Sequence, residues 1–455
     1  MVDIDSIIKF LQNTDNQVTS TIIKDLITDN KSRADKMKKL YQSFKGEVPI
    51  LNRSFKDTNK INNKLANDYR GLIISQIIGY IYGSPITYQI DDKKYNETIY
   101  NNIKNNLSDF NIMNSVDDLD STTGKYTSIC GYGARLLYID RDGKERLMNL
   151  PPWEVIFIED GSTSEIQYAL RYYPITVREG DKTVYRNRVE WYDNTSITFY
   201  VEDKDGNYFL DATEEKNPLL HMFKYVPIIK FKNNDEEQGD FEKVETTIDS
   251  YDELLSDCQN EISELRLAYM IFYGVDINEE TMEKARRTGA FGGLDGKNGE
   301  KVEFLIKQIN DAFIENQKKT LDRNIFKFSS TVDMNDEQFS GSAMSGESRK
   351  WKLKSLEDKA IIKERKYSAA LRNQFKVLCS SWNTKSIPLN YLDIYWNFQR
   401  NIPVDLLYEA EVQEKLIGKV SNKTRLSYFS GVDDPEWEMK QMDEENQGSV
   451  NLDNI

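Results

Sequence analysis

One histidine, three cysteines and many carboxylates are the reactive groups of this 455-residue chain, and their spacing supports little chemistry. With His221 alone, no histidine-based metal cluster, Ser-His-Asp triad or Cys-His pair of the common kind can be assembled beyond that position. His221 precedes a run that reads as a strand, so a structural role is expected. Cys130, Cys258 and Cys379 lack paired spacing, which fits small core residues in a reducing cytosol and not a disulfide frame or zinc site. Asp140–Gly143 and Asp203–Gly206 open like calcium loops, but glycine stands fourth where the sixth place is required. Counted from Asp140, the twelfth place is Pro151. Counted from Asp203 it is Glu214, with the strand-like Asn207–Asp211 in between. Both runs are therefore expected to be turns. At Gly296-Lys297 a phosphate loop fails twice: Phe291 replaces its first glycine and Asn298 its Ser or Thr. No dinucleotide fingerprint is present. Composition leaves a two-metal nuclease open, yet Asp117-Asp118-Asp120 and Asp433-Asp434 read as turn and cap residues. No catalytic residue, metal or cofactor is assigned, and the chain is read as not an enzyme.

The elements that would carry these groups follow from periodicity. Residues 1–45 read as polar and helical, and the basic cluster Lys31, Arg33, Lys36, Lys38, Lys39 and Lys45 reads as a solvated face. A second helix should end near Gly83-Ser84-Pro85. From Tyr126 to Lys232 the pattern turns to short alternating strands. Two hairpins are expected there, around the Asp-Gly turns at 142–143 and 205–206. From Phe241 to Phe272 apolar residues recur at spacings of three and four, predicting one long helix reaching about 50 Å. A glycine-rich insert spans 277–303, and a further helix runs from Ile309 to Phe328. After a polar, acidic loop rich in Gly and Ser comes a long helix from Ser348 to about Ser381. A strand at 389–398 and several short helices complete the pattern, one of them starting at Asp434-Pro435 with Asp as cap. The last residues, rich in Asp, Glu, Asn and Gln, are expected to be disordered.

Length allows about three domains with substantial cores. The opening residues lack the pattern of a secretory signal, and Gly71–Ile86 is too interrupted for a membrane span. A net charge of −15 disfavours tight, sequence-independent DNA binding, which needs Lys and Arg against phosphates. An acidic balance that merely confers solubility explains the charge equally well.

Several stretches in order resemble the portal proteins of tailed double-stranded DNA bacteriophages, in the branch of long-tailed phages of Gram-positive hosts. They are GYIYGSPITY (79–88), with Gly83, Pro85, Ile86 and Tyr88 in a Gly-x-Pro-Ile-x-Tyr pattern; IQYALRYY (166–173) and VEWYD (189–193); the run from Val226 to Asp257; DMNDEQFSGSAMSGESRKWKL (333–353); FQRNIP (398–403); and 418–439. The resemblance covers roughly 35–445. Ala343-Met344 interrupt what is commonly a continuous Ser-Gly run.

The resemblance implies an α+β portal fold with long stem helices, a β-rich wing, a small α/β clip and a helical crown. On this chain that gives an N-terminal helical arm (1–34), wing (35–239), first stem helix (240–273), clip (274–308), second stem helix (309–329), channel loop (330–346), long wing helix (347–382), crown (383–445) and acidic tail (446–455). It implies a ring of about twelve copies, carrying roughly −180 in total, at one capsid vertex. Double-stranded DNA would pass through it, driven by a separate terminase. A head-tail adaptor and the scaffolding and major capsid proteins would be partners, with no membrane involved. Asp333, Met334, Asn335, Asp336, Glu337, Gln338, Phe339 and Ser340 would face the channel. Lys318, Lys319 and Arg323 would form sparse basic rings, unless they pair along the helix with Glu315 and Asp322. Lys284, Arg286 and Arg287 would dock a partner or face DNA in the clip. The residues themselves leave two other classes open, a carboxylate-dependent nuclease and a non-viral helical scaffold.

Overall fold

A computed structural model describes residues 3–14, 16–57, 60–163, 165–179, 181–265, 269–273, 279–288, 301–305, 311–333, 351–401, 406–429, 431–432 and 435–450. The chain is a mixture of helices and antiparallel sheets, and it divides into two compact units, 1–399 and 400–455.

In the first unit, α1 (Ile4–Asn13) and α2 (Ser20–Phe44) start at Asp3 and Thr19, whose side-chain oxygens accept the Ser6 and Ile22 amides. Such caps satisfy amides that the first turn leaves open. Ile8, Leu11, Ile23 and Leu26 from these helices bury against Ile156, Ile158, Leu170, Val189 and Trp191 of a sheet. α3 (Tyr69–Tyr82) is capped by Asp68 and stops at Gly83, and the stop is the one that the sequence led one to expect. β1 (Thr87–Ile90), α4 (Glu97–Met113) and α5 (Val116–Cys130) follow.

The strand-rich region starts at Tyr132, because residues 126–130 still belong to α5. β2 (Tyr132–Ile139) and β3 (Glu145–Leu150) form a hairpin around the first Asp-Gly turn. The larger sheet runs β4 (Val155–Glu159), β5 (Ile166–Glu179), β6 (Lys182–Tyr192), β7 (Ser196–Glu202) and β8 (Tyr208–Leu210), with β9 (Leu219–Leu220) also on β7. β7 and β8 meet at the second Asp-Gly turn. At both turns the leading aspartate is occupied by its own backbone. Asp140 accepts the Asp142 and Lys144 amides, and Asp203 those of Asp205 and Asn207. β10 (Ile228–Lys232) pairs with β2.

Gly131 makes the passage from α5 into β2. Its φ is +88°, and a Cβ there would lie 1.9 Å from the Glu237 carbonyl oxygen, so no side chain fits. The 233–240 segment can therefore lie flat against the helix end, and Asp240 N–H donates to Ser128 O at 2.7 Å.

α6 (Glu245–Leu265) is shorter than expected, spanning about 30 Å. Beyond it, Tyr269–Tyr273 is a strand, β11, paired antiparallel with β12 (Lys301–Leu305). In the run 269–273 almost every residue is apolar or aromatic, so a helical spacing can be read into it by coincidence. Aromatic and β-branched residues there prefer the strand. α7 (Glu279–Thr288) lies between these two strands in the chain.

Three polar residues on α6, at 252, 256 and 260, hold an extended segment. Asp252 Oδ1 accepts the Asn67 amide (2.9 Å), Ser256 Oγ that of Leu65 (2.9 Å) and Asn260 Oδ1 that of Asn63 (2.7 Å). Two residues of extended chain advance about 6.6 Å and four residues of helix about 6 Å. The two periods therefore stay in step over three bonds.

α8 (Asp311–Ser329) packs on α6, and α9 (Lys354–Thr384) packs on β10. β13 (Ile394–Asn397) returns to pair with β1, placing Tyr88 opposite Trp396. The second unit holds α10 (Leu406–Leu416), α11 (Asn422–Leu426) and α12 (Pro435–Val450). Pro435 is the first residue of its helix as expected, whereas Asp434 lies outside the described residues. The tail expected to be disordered from 446 is helical to Val450. A proline at the first helical position and a run of good helix formers behind it account for the extension.

Candidate functional site

The acidic loop is the segment to which the sequence assigns most. Its first residue, Asp333, is described; Met334, Asn335, Asp336, Glu337, Gln338, Phe339 and Ser340 lie outside the described residues. Its attachment is built from α3, α8 and α9. Gln76 Nε2 donates to Val332 O (2.6 Å), and Val332 N donates to Gln76 Oε1 (3.2 Å). One side-chain amide thus pairs with both main-chain groups of one residue, as a neighbouring strand would. Four residues on, Tyr80 Oη donates to Glu357 Oε2 at 2.7 Å. Residues four apart share one helix face, so both ends of the loop are tied to the same face of α3.

The α8 end of this attachment is closed by polar bonds. Lys359 Nζ donates to Ser329 O, where α8 leaves its last carbonyls open, and stands 3.3 Å from Asp240 Oδ1. A cation suits a helix C-terminus on electrostatic grounds as well. Ser329 and Thr331 share a hydroxyl–hydroxyl bond of 2.6 Å. One turn along α9, buried Lys363 donates to Ser128 Oγ (2.8 Å), Asp240 Oδ2 (2.7 Å) and Asn233 Oδ1. All three ammonium hydrogens are used. Burial alone would raise the Asp240 carboxyl, but Lys363 and Lys359 hold it down at about 2. The same burial pulls the Lys363 ammonium below its ordinary value. The pair's net worth is thus less than the Asp240 shift alone suggests.

The three helices meet through aromatic rings. Tyr69 of α3 lies edge-on to Tyr251 of α6 (5.1 Å between centroids) and to Phe326 of α8 (6.0 Å). Its hydroxyl donates to Asp322 at 2.5 Å. Asp322 is thereby engaged by α3. Lys318 and Lys319 each lie 3.8 Å from Glu315 on the same helix, the pairing weighed against a role toward DNA. Arg323 is exposed. In the insert, Lys284, Arg286 and Arg287 all fall on α7. Arg287 is exposed, and the side chains of Lys284 and Arg286 lie outside the described residues.

His221 and Asp120 are engaged in structural contacts. His221 is buried; Phe223 N–H donates to its Nδ1 (3.2 Å), so Nε2 carries the proton and donates to Asp193 O (3.0 Å). Burial lowers its pKa below the usual histidine value. Asp117 and Asp118 sit in the first turn of α5, as cap-region residues should. Asp120 does not, which corrects the reading of all three as turn and cap residues. It is buried 2.9 Å from Arg135 and accepts from the hydroxyls of Tyr88 (2.6 Å) and Tyr367 (2.8 Å). Arg135 is fully buried and also donates to Asn149, Gln374 and Leu119 O. Hence the last tyrosine of the Gly-x-Pro-Ile-x-Tyr pattern anchors β1 to this ion pair. An i+15 separation between Asp120 and Arg135 carries no periodic signal, so sequence reasoning missed it. Among the described residues, no group of three or more His, Cys, Asp or Glu is placed to hold a metal ion, and no helix is long and apolar enough to cross a membrane.

These features define a scaffold that presents a loop, and comparison with known proteins gives its class. The family model for phage portal proteins of the SPP1 Gp6-like type matches residues 23–451, and the chain belongs to that family. It is 27% identical over 407 residues to the portal protein of Bacillus phage SPP1, covering 86% of this chain and 77% of that one. It is also 21% identical over 418 residues to the portal protein of Clostridium phage phiCD119, covering 86% and 87%. The chain is thus a phage portal protein and a virion component.

Proposed function

We propose that this portal protein closes into a ring of about twelve copies at one capsid vertex, with double-stranded DNA entering and leaving through the central channel. Family membership across nearly the whole chain is the observation that carries this reading. In it, α6 and α8 belong to the stem and the insert with α7, β11 and β12 to the clip. The sheets formed by β2 to β10, together with α9, belong to the wing, and the chain from about 383 to the crown. The protein has no engine of its own: a terminase supplies the work and docks at the clip, where Lys284, Arg286 and Arg287 would meet it. A head-tail adaptor later takes the same end, while scaffolding and major capsid proteins meet the periphery.

The loop beginning at Asp333 lines the channel. Asp333, Asp336 and Glu337 would present rings of negative charge that repel phosphates within about 10 Å at moderate salt. Met334, Asn335, Gln338, Phe339 and Ser340 would add weak, exchangeable contacts. Repulsion with weak contact permits sliding, where dense basic contacts would arrest it. Lys318, Lys319 and Arg323 would add only sparse positive rings. Particle images of the purified protein test the reading: closed rings with a central pore are expected, and only monomers or dimers across a wide range of salt would overturn it.

A further inference from the structure

A cleft of about 480 Å³ on the first unit, bounded by Tyr95, Tyr225 and Tyr391 with Lys224 and Lys376, has no carboxylate among its lining residues. Acidic residues outnumber basic ones by 75 to 60 in the chain, so this cleft has a local charge balance opposite to that of the whole. Lys376 Nζ sits 4.4 Å from the centroid of the Tyr225 ring, which fixes its position. The Lys224 backbone amide is fixed too, donating to Ser380 Oγ at 3.2 Å. No carboxylate of the described residues pairs with either ammonium group, whereas nearby Lys230 pairs with both Glu159 and Glu237. A second cleft of about 400 Å³ adjoins the first and shares Lys224, Tyr225 and Lys376 with it. Its lining adds Glu159 and Glu165 together with Lys230 and Lys232, and Glu159 is paired with Lys230.

We infer that the joined clefts bind an extended acidic peptide segment of another protein, with its carboxylates on Lys224 and Lys376 and an aromatic residue against Tyr225. The clefts run along α9 from Asn373 to Asn383, about 15 Å, enough for four or five extended residues. Nucleic acid fits worse. A duplex is too wide to enter clefts of about 480 and 400 Å³, whereas a single extended strand of peptide can lie in them. A peptide can end its acidic stretch before the glutamates.

The probe is a fluorescein-labelled Asp-Glu-Tyr-Glu-Asp peptide, titrated with the full-length protein and followed by anisotropy. Saturable binding is expected, weakening as salt rises. The double variant K224E/K376E should lose at least tenfold in affinity. K224R/K376R should retain binding, and a control double variant at exposed lysines elsewhere, K104E/K182E, should lose less than threefold. Because Lys224 is exposed and Lys376 half-buried, circular dichroism should show each variant folded. Four outcomes would overturn the inference: no saturable binding, equal losses in the cleft and control variants, displacement of the peptide by millimolar inorganic phosphate, or tighter binding of a duplex oligonucleotide to the same lysines.

Discussion

His221 is held as a neutral imidazole, accepting from Phe223 N–H and donating to the Asp193 carbonyl. Its pKa is lowered on folding, so below the unfolded value of about 6.5 the unfolded chain takes up a proton that the folded chain refuses. Stability contributed by the neutral ring is complete above that pH and declines as the pH falls through it. The difference in unfolding free energy between wild type and H221Q should therefore be flat above pH 7 and shrink toward pH 5. A difference independent of pH over that interval would contradict the assigned protonation. Gln76 gives a second test at this scale. Replacing it with alanine leaves the main-chain N–H and C=O of Val332 without this partner, a loss of about 1–3 kcal/mol. Denaturant unfolding of Q76A reads it, and an unchanged midpoint would mean the bonds contribute nothing.

At the scale of elements, the α6 ladder makes the clearest forecast. D252A removes the acceptor shared by the Asn67 amide and its side chain and should cost about 1–3 kcal/mol. Hydrogen exchange should speed up at 63–67 and not at the distant β4–β5 pair. The loop makes another: deleting Asn335–Ser340 should leave rings and proheads intact but block filling with DNA, and normal packaging by that variant would remove the loop's role. Elements with strong local grammar were legible in the chain. The two Asp-Gly hairpins and the Gly83 stop of α3 each rest on residues adjacent in sequence. The ladder of 252, 256 and 260 was not, because a search for apolar stripes passes over polar ones, and its partner lies nearly 200 residues away. The misreading of Tyr269–Tyr273 as helix has the converse cause: in a wholly apolar run every period fits. Of the candidate site, the loop's position between two helices was readable. Its tie to Gln76 and Tyr80 was not, since an amide in an apolar helix announces no partner.

For the whole molecule, charge and closure are the terms that matter. With −15 per chain, the assembled protein should leave the mobility of linear duplex DNA unchanged at 0.15 M salt, a condition under which basic nonspecific binders bind with Kd of about 10⁻⁴–10⁻⁶ M. A shift at submicromolar protein would defeat the account of sliding by repulsion. The tie of both loop ends to α3 bears on what happens while DNA moves. Gln76 and Tyr80 stand about 6 Å apart along one rigid rod. If the loop meets DNA as proposed, drag on it would be felt as a push or pull on that rod, not as a force prising its two attachments apart. On that reading the rod would hand the load to α6 and α8 through the rings around Tyr69, and each subunit would meet friction as a single stiff lever.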